Sequence, residues 1–145
     1  MKKVLIVVSN YYEEVAAGLI RGATEYFDIN KDELSGREIL IKYEIKKSPG
    51  AFEIPFLINQ FKNSYDAFLA LGCIIRGETY HFEIISNEVT RKIMDLSTDI
   101  GKPIGFGILT CENLEQAMER SDPSKKNKGA EAARACQKLL YNLIN

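Results

Sequence analysis

Four strand-length apolar runs, separated by helical stripes, constrain the fold of this 145-residue chain more than any other feature. Val4–Ser9 is apolar almost throughout, as a strand covered on both faces must be. Val15, Leu19, Ile20, Ala23 and Phe27 follow at helical spacing. Asn30 to Gly36 reads as a polar connection. Ile39–Ile45 predicts the second strand, stopped by Pro49-Gly50. A short helix is expected from Glu53 to about Asn63, and a third strand over Ala67–Leu71. After Thr79, a stripe of Phe82, Ile85, Val89, Ile93 and Leu96 predicts a long helix, ended by Gly101-Lys102-Pro103. Ile104–Leu109 predicts the fourth strand. Leu114, Ala117 and Met118 mark a brief helix, and a last helix runs from about Lys128 to Leu143. Strands that alternate with helices require parallel crossovers, and therefore a three-layer α/β sandwich in one domain spanning 1–145.

Nineteen basic residues nearly balance twenty acidic ones, for a net charge of −1. That removes the basic footprint of a nucleic-acid binder. No apolar run approaches the ~20 residues that span a bilayer. Met1-Lys2-Lys3 and the apolar run after it resemble the start of a signal peptide. The run breaks at Ser9-Asn10 without a small-residue cleavage site, so a first buried strand is the better reading. Cys73, Cys111 and Cys136 are odd in number and lack metal-ligand spacing. They read as reduced thiols in a cytoplasmic protein.

The unusual residues fall after strand ends, on one rim. The segment Leu71 to His81 carries Gly72, Arg76, Gly77 and Thr79, and ends on the only histidine. A histidine in the first turn of a helix lies at the positive end of the dipole, which favours the neutral imidazole that a general base needs. A lone histidine is as readily structural, and position alone leaves both roles open. Arg76, the loop amides and the Thr79 hydroxyl could cradle an anion; alternatively, Thr79 caps the helix. Ser48-Pro-Gly-Ala-Phe-Glu-Ile-Pro55 is either a rigid turn or a site in which Phe52 covers a planar ligand and Glu53 bonds its polar edge. Arg120 and Lys128 flank a polar loop. Asn127 reads as an N-cap, which puts the Lys128 cation in a first turn, against the dipole.

Taken together, the motifs resemble the 6,7-dimethyl-8-ribityllumazine synthase family of riboflavin biosynthesis. Those that carry the resemblance are Pro49-Gly-Ala-Phe-Glu-Ile-Pro55, Leu71-Gly-Cys-Ile-Ile-Arg-Gly-Glu-Thr-Tyr-His-Phe82, Asn87-Glu-Val89, Phe106-Gly-Ile-Leu-Thr110, Glu115-Gln-Ala117, Glu119-Arg120 and Asn127-Lys-Gly129. The resemblance implies a flavodoxin-like sheet of four parallel strands in the order 2-1-3-4. It implies condensation of 5-amino-6-(D-ribitylamino)uracil with 3,4-dihydroxy-2-butanone 4-phosphate, with no cofactor and no metal. It gives His81 the proton transfer. Tyr11, Ala51, Phe52, Glu53, Cys73, Ile74 and Ile75 would hold the pyrimidine and its ribityl chain. Glu78 and Thr79 would hold the phosphate of the butanone. Phe106, Arg120 and Lys128 would come from a neighbouring subunit, with Arg120 on the phosphate.

The resemblance also implies a homo-oligomer, and association with riboflavin synthase is possible within it. The loop Ser121–Lys126 lacks glycines, and the chain starts directly at its first core strand. Both favour a homopentamer over a capsid of sixty subunits. Tyr12 departs from the family's usual Asn, and Glu78 stands where a small residue is common, beside an expected phosphate. A flavin-binding module on the same sheet is the competing reading, but it gives His81 and Lys128 no task.

Overall fold

The computed structural model describes residues 1–29, 33–34, 37–38 and 40–144. In chain order its elements are β1 (Lys2–Ser9), α1 (Glu13–Ile29), the two-residue strands β2 (Glu33–Leu34) and β3 (Arg37–Glu38), and β4 (Ile41–Ser48). A 3-10 turn (Ala51–Glu53) leads into α2 (Ile54–Gln60). Then come β5 (Ala67–Ile75), α3 (His81–Ile100), β6 (Ile104–Cys111), α4 (Leu114–Ser121) and α5 (Lys128–Ile144).

The main sheet has the order β4-β1-β5-β6 and is parallel throughout. Counting its four strands alone, this is the expected 2-1-3-4. Both faces are covered. Val4, Ile6, Val8, Leu69 and Leu71 face α1 and α5, whereas Leu5, Val7, Phe68 and Ala70 face α2 and α3. Double coverage explains why the sequence of β1 and β5 is apolar without alternation.

Several boundaries differ from the sequence reading. The stretch read as a polar connection contains β2, which pairs antiparallel with β3 just beyond it, Glu33 opposite Glu38. Its other residues, and Ile39 at the expected start of the second strand, lie outside the described residues. β4 runs on to Ser48, where the hydroxyl donates to the Gly50 carbonyl (2.6 Å) and fixes the Pro49-Gly50 turn. β5 continues four residues past Leu71, so Gly72 is a strand residue and not a turn. Its missing side chain admits Ser9, whose Cβ would lie 3.0 Å from a Cβ at 72. α3 ends where Gly101 adopts the left-handed conformation (φ 64°), as a helix C-terminus favours.

Register determines where the sheet opens. β1 pairs with β4 along its whole length, from Lys2 opposite Ile41 to Ser9 opposite Ser48. It pairs with β5 only from Val4 opposite Ala67 to Val8 opposite Leu71. β5 then continues beside β6 alone, up to Ile75 opposite Cys111.

The helical layer formed by α1, α4 and α5 is close-packed through glycines. A Cβ on Gly129 would overlap the Leu19 carbonyl, and one on Gly22 would overlap the Asn127 side chain. A Cβ on Gly77, in the loop after β5, meets nothing within 4 Å. Gly129→Ala is therefore expected to lower unfolding free energy by about 1–3 kcal/mol, the usual cost of overpacking. Gly77→Ala should stay within about 0.5 kcal/mol of wild type. Urea titration of both variants checks the contrast; equal stabilities would show that α1 and α5 can separate freely.

Candidate active site

Where β1 stops pairing with β5, a cleft of about 700 Å³ opens at the C-terminal edge of the sheet. β1 leaves toward β4 through α1, and the chain returns on the other side of β1 as β5. The cleft lies at this change of direction, the switch point at which open α/β sheets place ligands.

Four segments build it. Tyr11 and Tyr12 follow β1; Pro49 to Glu53 follow β4; Cys73, Ile74 and Ile75 end β5; Gly77, Thr79, His81, Phe82 and Ile85 come from the next loop and α3. Nine of the residues expected from sequence therefore meet here: Tyr11, Ala51, Phe52, Glu53, Cys73, Ile74, Ile75, Thr79 and His81. Tyr11 is 72% exposed and Phe52 61% exposed, unusual for large aromatics and suited to covering a flat ring. Tyr12 meets Tyr11 edge-on, with centroids 4.9 Å apart and planes at 77°. Burial raises the pKa of its phenol, with Tyr11 adding to the effect.

His81 is the first residue of α3 and is exposed to the cleft. Of the two roles left open to it, Thr79 does not take that of helix cap. Tyr80 holds the cap position, without a side-chain bond, and Thr79 Oγ1 instead accepts a long bond (3.4 Å) from the His81 N–H. Because the chain turns into the helix one residue later than the sequence suggested, the Thr79 hydroxyl is left at the cleft.

Arg76 does not join the cleft lining as a free cation. Its guanidinium pairs with Glu83 and, at 2.6 Å, with Glu112. It also lies 4.5 Å from the centroid of Phe82. Two carboxylates therefore occupy the charge that the sequence reading offered to an anion.

Glu78 is exposed and outside the lining, so its carboxylate need not confront a bound anion. Phe106, Arg120 and Lys128 also lie outside it. Phe106 is on the edge strand β6 and 44% exposed. Arg120, in the last turn of α4, donates to the Gln116 carbonyl (3.2 Å). Lys128 opens α5 and pairs with Glu131 (2.9 Å), which offsets its unfavourable place in the dipole. Asn127 precedes it at φ 50°, with Oδ1 buried and unpartnered among the described residues. It stands at the N-cap position, where its carbonyl accepts from the Glu131 N–H (3.3 Å), but its side chain packs on Gly22 and makes no capping bond.

Sequence reasoning left out Phe82 and Ile85 as lining residues, because the stripe they share with Val89 and Ile93 reads as core. Tyr12 was noted only as a departure. Among the described residues, no cluster of three or more His, Cys, Asp or Glu is placed to hold a metal.

The 6,7-dimethyl-8-ribityllumazine synthase family model matches residues 1–143. The chain belongs to this family. A protein from Zymomonas mobilis bearing that name is 47% identical over 145 residues, covering 99% of this chain and 96% of its own. One from Bartonella tribocorum is 47% identical over 135 residues, covering 91% and 83%. One from Erythrobacter litoralis is 44% identical over 142 residues, covering 97% and 94%. Cys73 lines the cleft and is buried. Burial pushes this thiol up to about 12, and the neighbouring Cys111 adds to the shift. Burial likewise pushes Cys136 up to about 12.

Both thiols are raised above their ordinary value near 9, so their contribution to stability is complete below pH ~9 and is lost as pH rises toward 12. Native protein at pH 8 should leave Cys73 unlabelled by Ellman's reagent, whereas unfolded protein should release the colour of all three thiols. Rapid labelling of Cys73 in the native state would contradict the burial assigned to it.

Proposed function

We propose that this chain is a 6,7-dimethyl-8-ribityllumazine synthase, acting in riboflavin biosynthesis. Family membership supports the activity, and one observation supports the placement of its chemistry: nine expected residues from four separate segments converge on a single cleft. The reaction joins 5-amino-6-(D-ribitylamino)uracil to 3,4-dihydroxy-2-butanone 4-phosphate. The primary amine condenses with the ketone to an imine, with loss of water. Removal of a proton beside that carbon expels phosphate, and a second condensation closes the pyrazine ring with loss of water.

Most of this requires orientation and a modest base. Tyr11 and Phe52 are suited to cover the pyrimidine, while Ala51, Glu53 and the Cys73–Ile75 strand end line its edge. The Thr79 hydroxyl and the loop amides through Glu78 are suited to the phosphate. His81 is suited to take the proton, since it reaches the same cleft from a helix start.

The cleft is open, and several family-type residues stand away from it. We therefore assign Phe106, Arg120 and Lys128 to the cleft of a neighbouring subunit, with Arg120 on the phosphate. Exposed Phe106, Phe56, Ile84 and Leu114 are apolar surface that such an assembly would cover. A homopentamer is the favoured assembly, and association with riboflavin synthase remains within this reading. Three free cysteines fit a cytoplasmic setting, and among the described residues no helix is long and apolar enough to cross a membrane.

Purified protein given both substrates should release phosphate and form a fluorescent lumazine; no product at micromolar enzyme would overturn the assignment. His81→Ala should lower kcat at least about tenfold with the fold retained. Arg120→Ala should chiefly raise KM for the butanone phosphate. An unchanged rate in the first variant, or an unchanged KM in the second, would remove that residue from its role.

A further inference from the structure

Arg76 lies just outside the cleft and touches three elements that meet at its rim. Its backbone N–H donates to the Cys111 carbonyl (2.9 Å), extending the β5–β6 ladder by one residue. Its Nε donates to Glu112 Oε2 (2.6 Å), just past β6. Its Nη1 donates to Glu83 in the first turn of α3, and its guanidinium lies against the ring of Phe82. Phe82 itself lines the cleft, next to His81.

Glu112 is held in turn. Its backbone N–H donates to the Gln116 side chain (2.8 Å), and the Gln116 N–H donates to the N-cap Asn113 (2.9 Å). The hydrogen-bonded start of α4 thus continues through Glu112 and Arg76 into α3. The loop between, 77–80, is exposed, and among the described residues its side-chain hydrogen bonding is the long Thr79–His81 bond (3.4 Å).

We propose that Arg76 is a positioning residue, a strut that holds the 77–80 loop and the His81–Phe82 turn in register with the end of β6. This rests on the reading that the loop receives a phosphate. A single exposed ion pair contributes little. Here one planar guanidinium serves two carboxylates and a ring, so a single ordered side chain fixes three partners. The Arg76 bond also holds the Glu83 carboxyl below its ordinary value, so both partners stay charged near neutral pH. The strut differs from direct anion binding, in which the carboxylates would compete with the substrate.

Steady-state kinetics of Arg76→Met, Glu83→Gln and Glu112→Gln separate the two. The strut predicts that Arg76→Met raises KM for the butanone phosphate about tenfold, by misplacing the loop. Both carboxylate variants should raise it in the same direction. Arg76→Met combined with Glu83→Gln should be no worse than Arg76→Met alone, and KM for the pyrimidine should move less throughout. If the carboxylate variants lower or preserve that KM while Arg76→Met raises it, Arg76 binds phosphate directly and the proposal fails. It fails equally if none of the three moves it. Amide exchange of residues 77–83 provides a readout independent of turnover, and it should be faster in Arg76→Met than in wild type. Equal exchange would overturn the strut, whereas wild-type protein that forms no lumazine would instead overturn the proposed reaction.

Discussion

The structure depends on the stagger between β1 and β5. Hydrogen bonding between them ends at Val8 and Leu71, yet β5 goes on to Ile75 with only β6 beside it. The unpaired edge of this overhang cannot lie open in a buried layer. The chain uses it as the floor of a cleft, walled by the residues that leave β1 and β4. Tyr11 and Phe52 face one another's neighbourhood because their strands are both neighbours in the sheet and end at the same rim.

Around that opening, packing is rigid where the cleft needs a frame. α1 and α5 approach closely enough to exclude side chains at Gly22 and Gly129, which fixes the two helices against each other. On the other side, α3 presents His81, Phe82 and Ile85 to the cleft while its Val89, Ile93 and Leu96 are buried against the sheet. One helix therefore carries both the proposed base and the anchor that positions it. Arg76 and its two carboxylates join this helix to the end of β6 across the loop proposed to take phosphate.

The three layers and the main helices were legible in the sequence because burial on two faces writes continuous apolar runs, and one-sided burial writes helical stripes; the strand order came from the family resemblance. The rim position of the Tyr11, Pro49–Glu53 and Gly72–His81 segments was legible from their places after strand ends, whereas the roles of the individual residues came from the family resemblance, since each segment alone reads as readily as a turn. Ends of elements were less so. β5 overran its expected end because Gly72 reads as punctuation, although here it serves the close approach of Ser9. Thr79 and Asn127 are both good capping residues, yet neither side chain caps: the cap position of α3 falls on Tyr80, and the Asn127 side chain is drawn onto Gly22. Arg76 was misjudged because its partners Glu83 and Glu112 are distant or unremarkable along the chain, and only folding brings them to one guanidinium.

One chain holds the proposed base and ring platform, but its Arg120 and Lys128 stand outside its own cleft. The central claim is that a neighbour's copy of these residues completes each site. Co-expression of His81→Ala and Arg120→Ala chains, assayed well below the wild-type KM for the butanone phosphate, tests this most directly. Random mixing should leave about a quarter of the sites with both residues intact, at interfaces where each chain contributes one. The account predicts lumazine formation near that fraction of wild-type activity. Activity no greater than the averaged activities of the two variants assayed separately would contradict it.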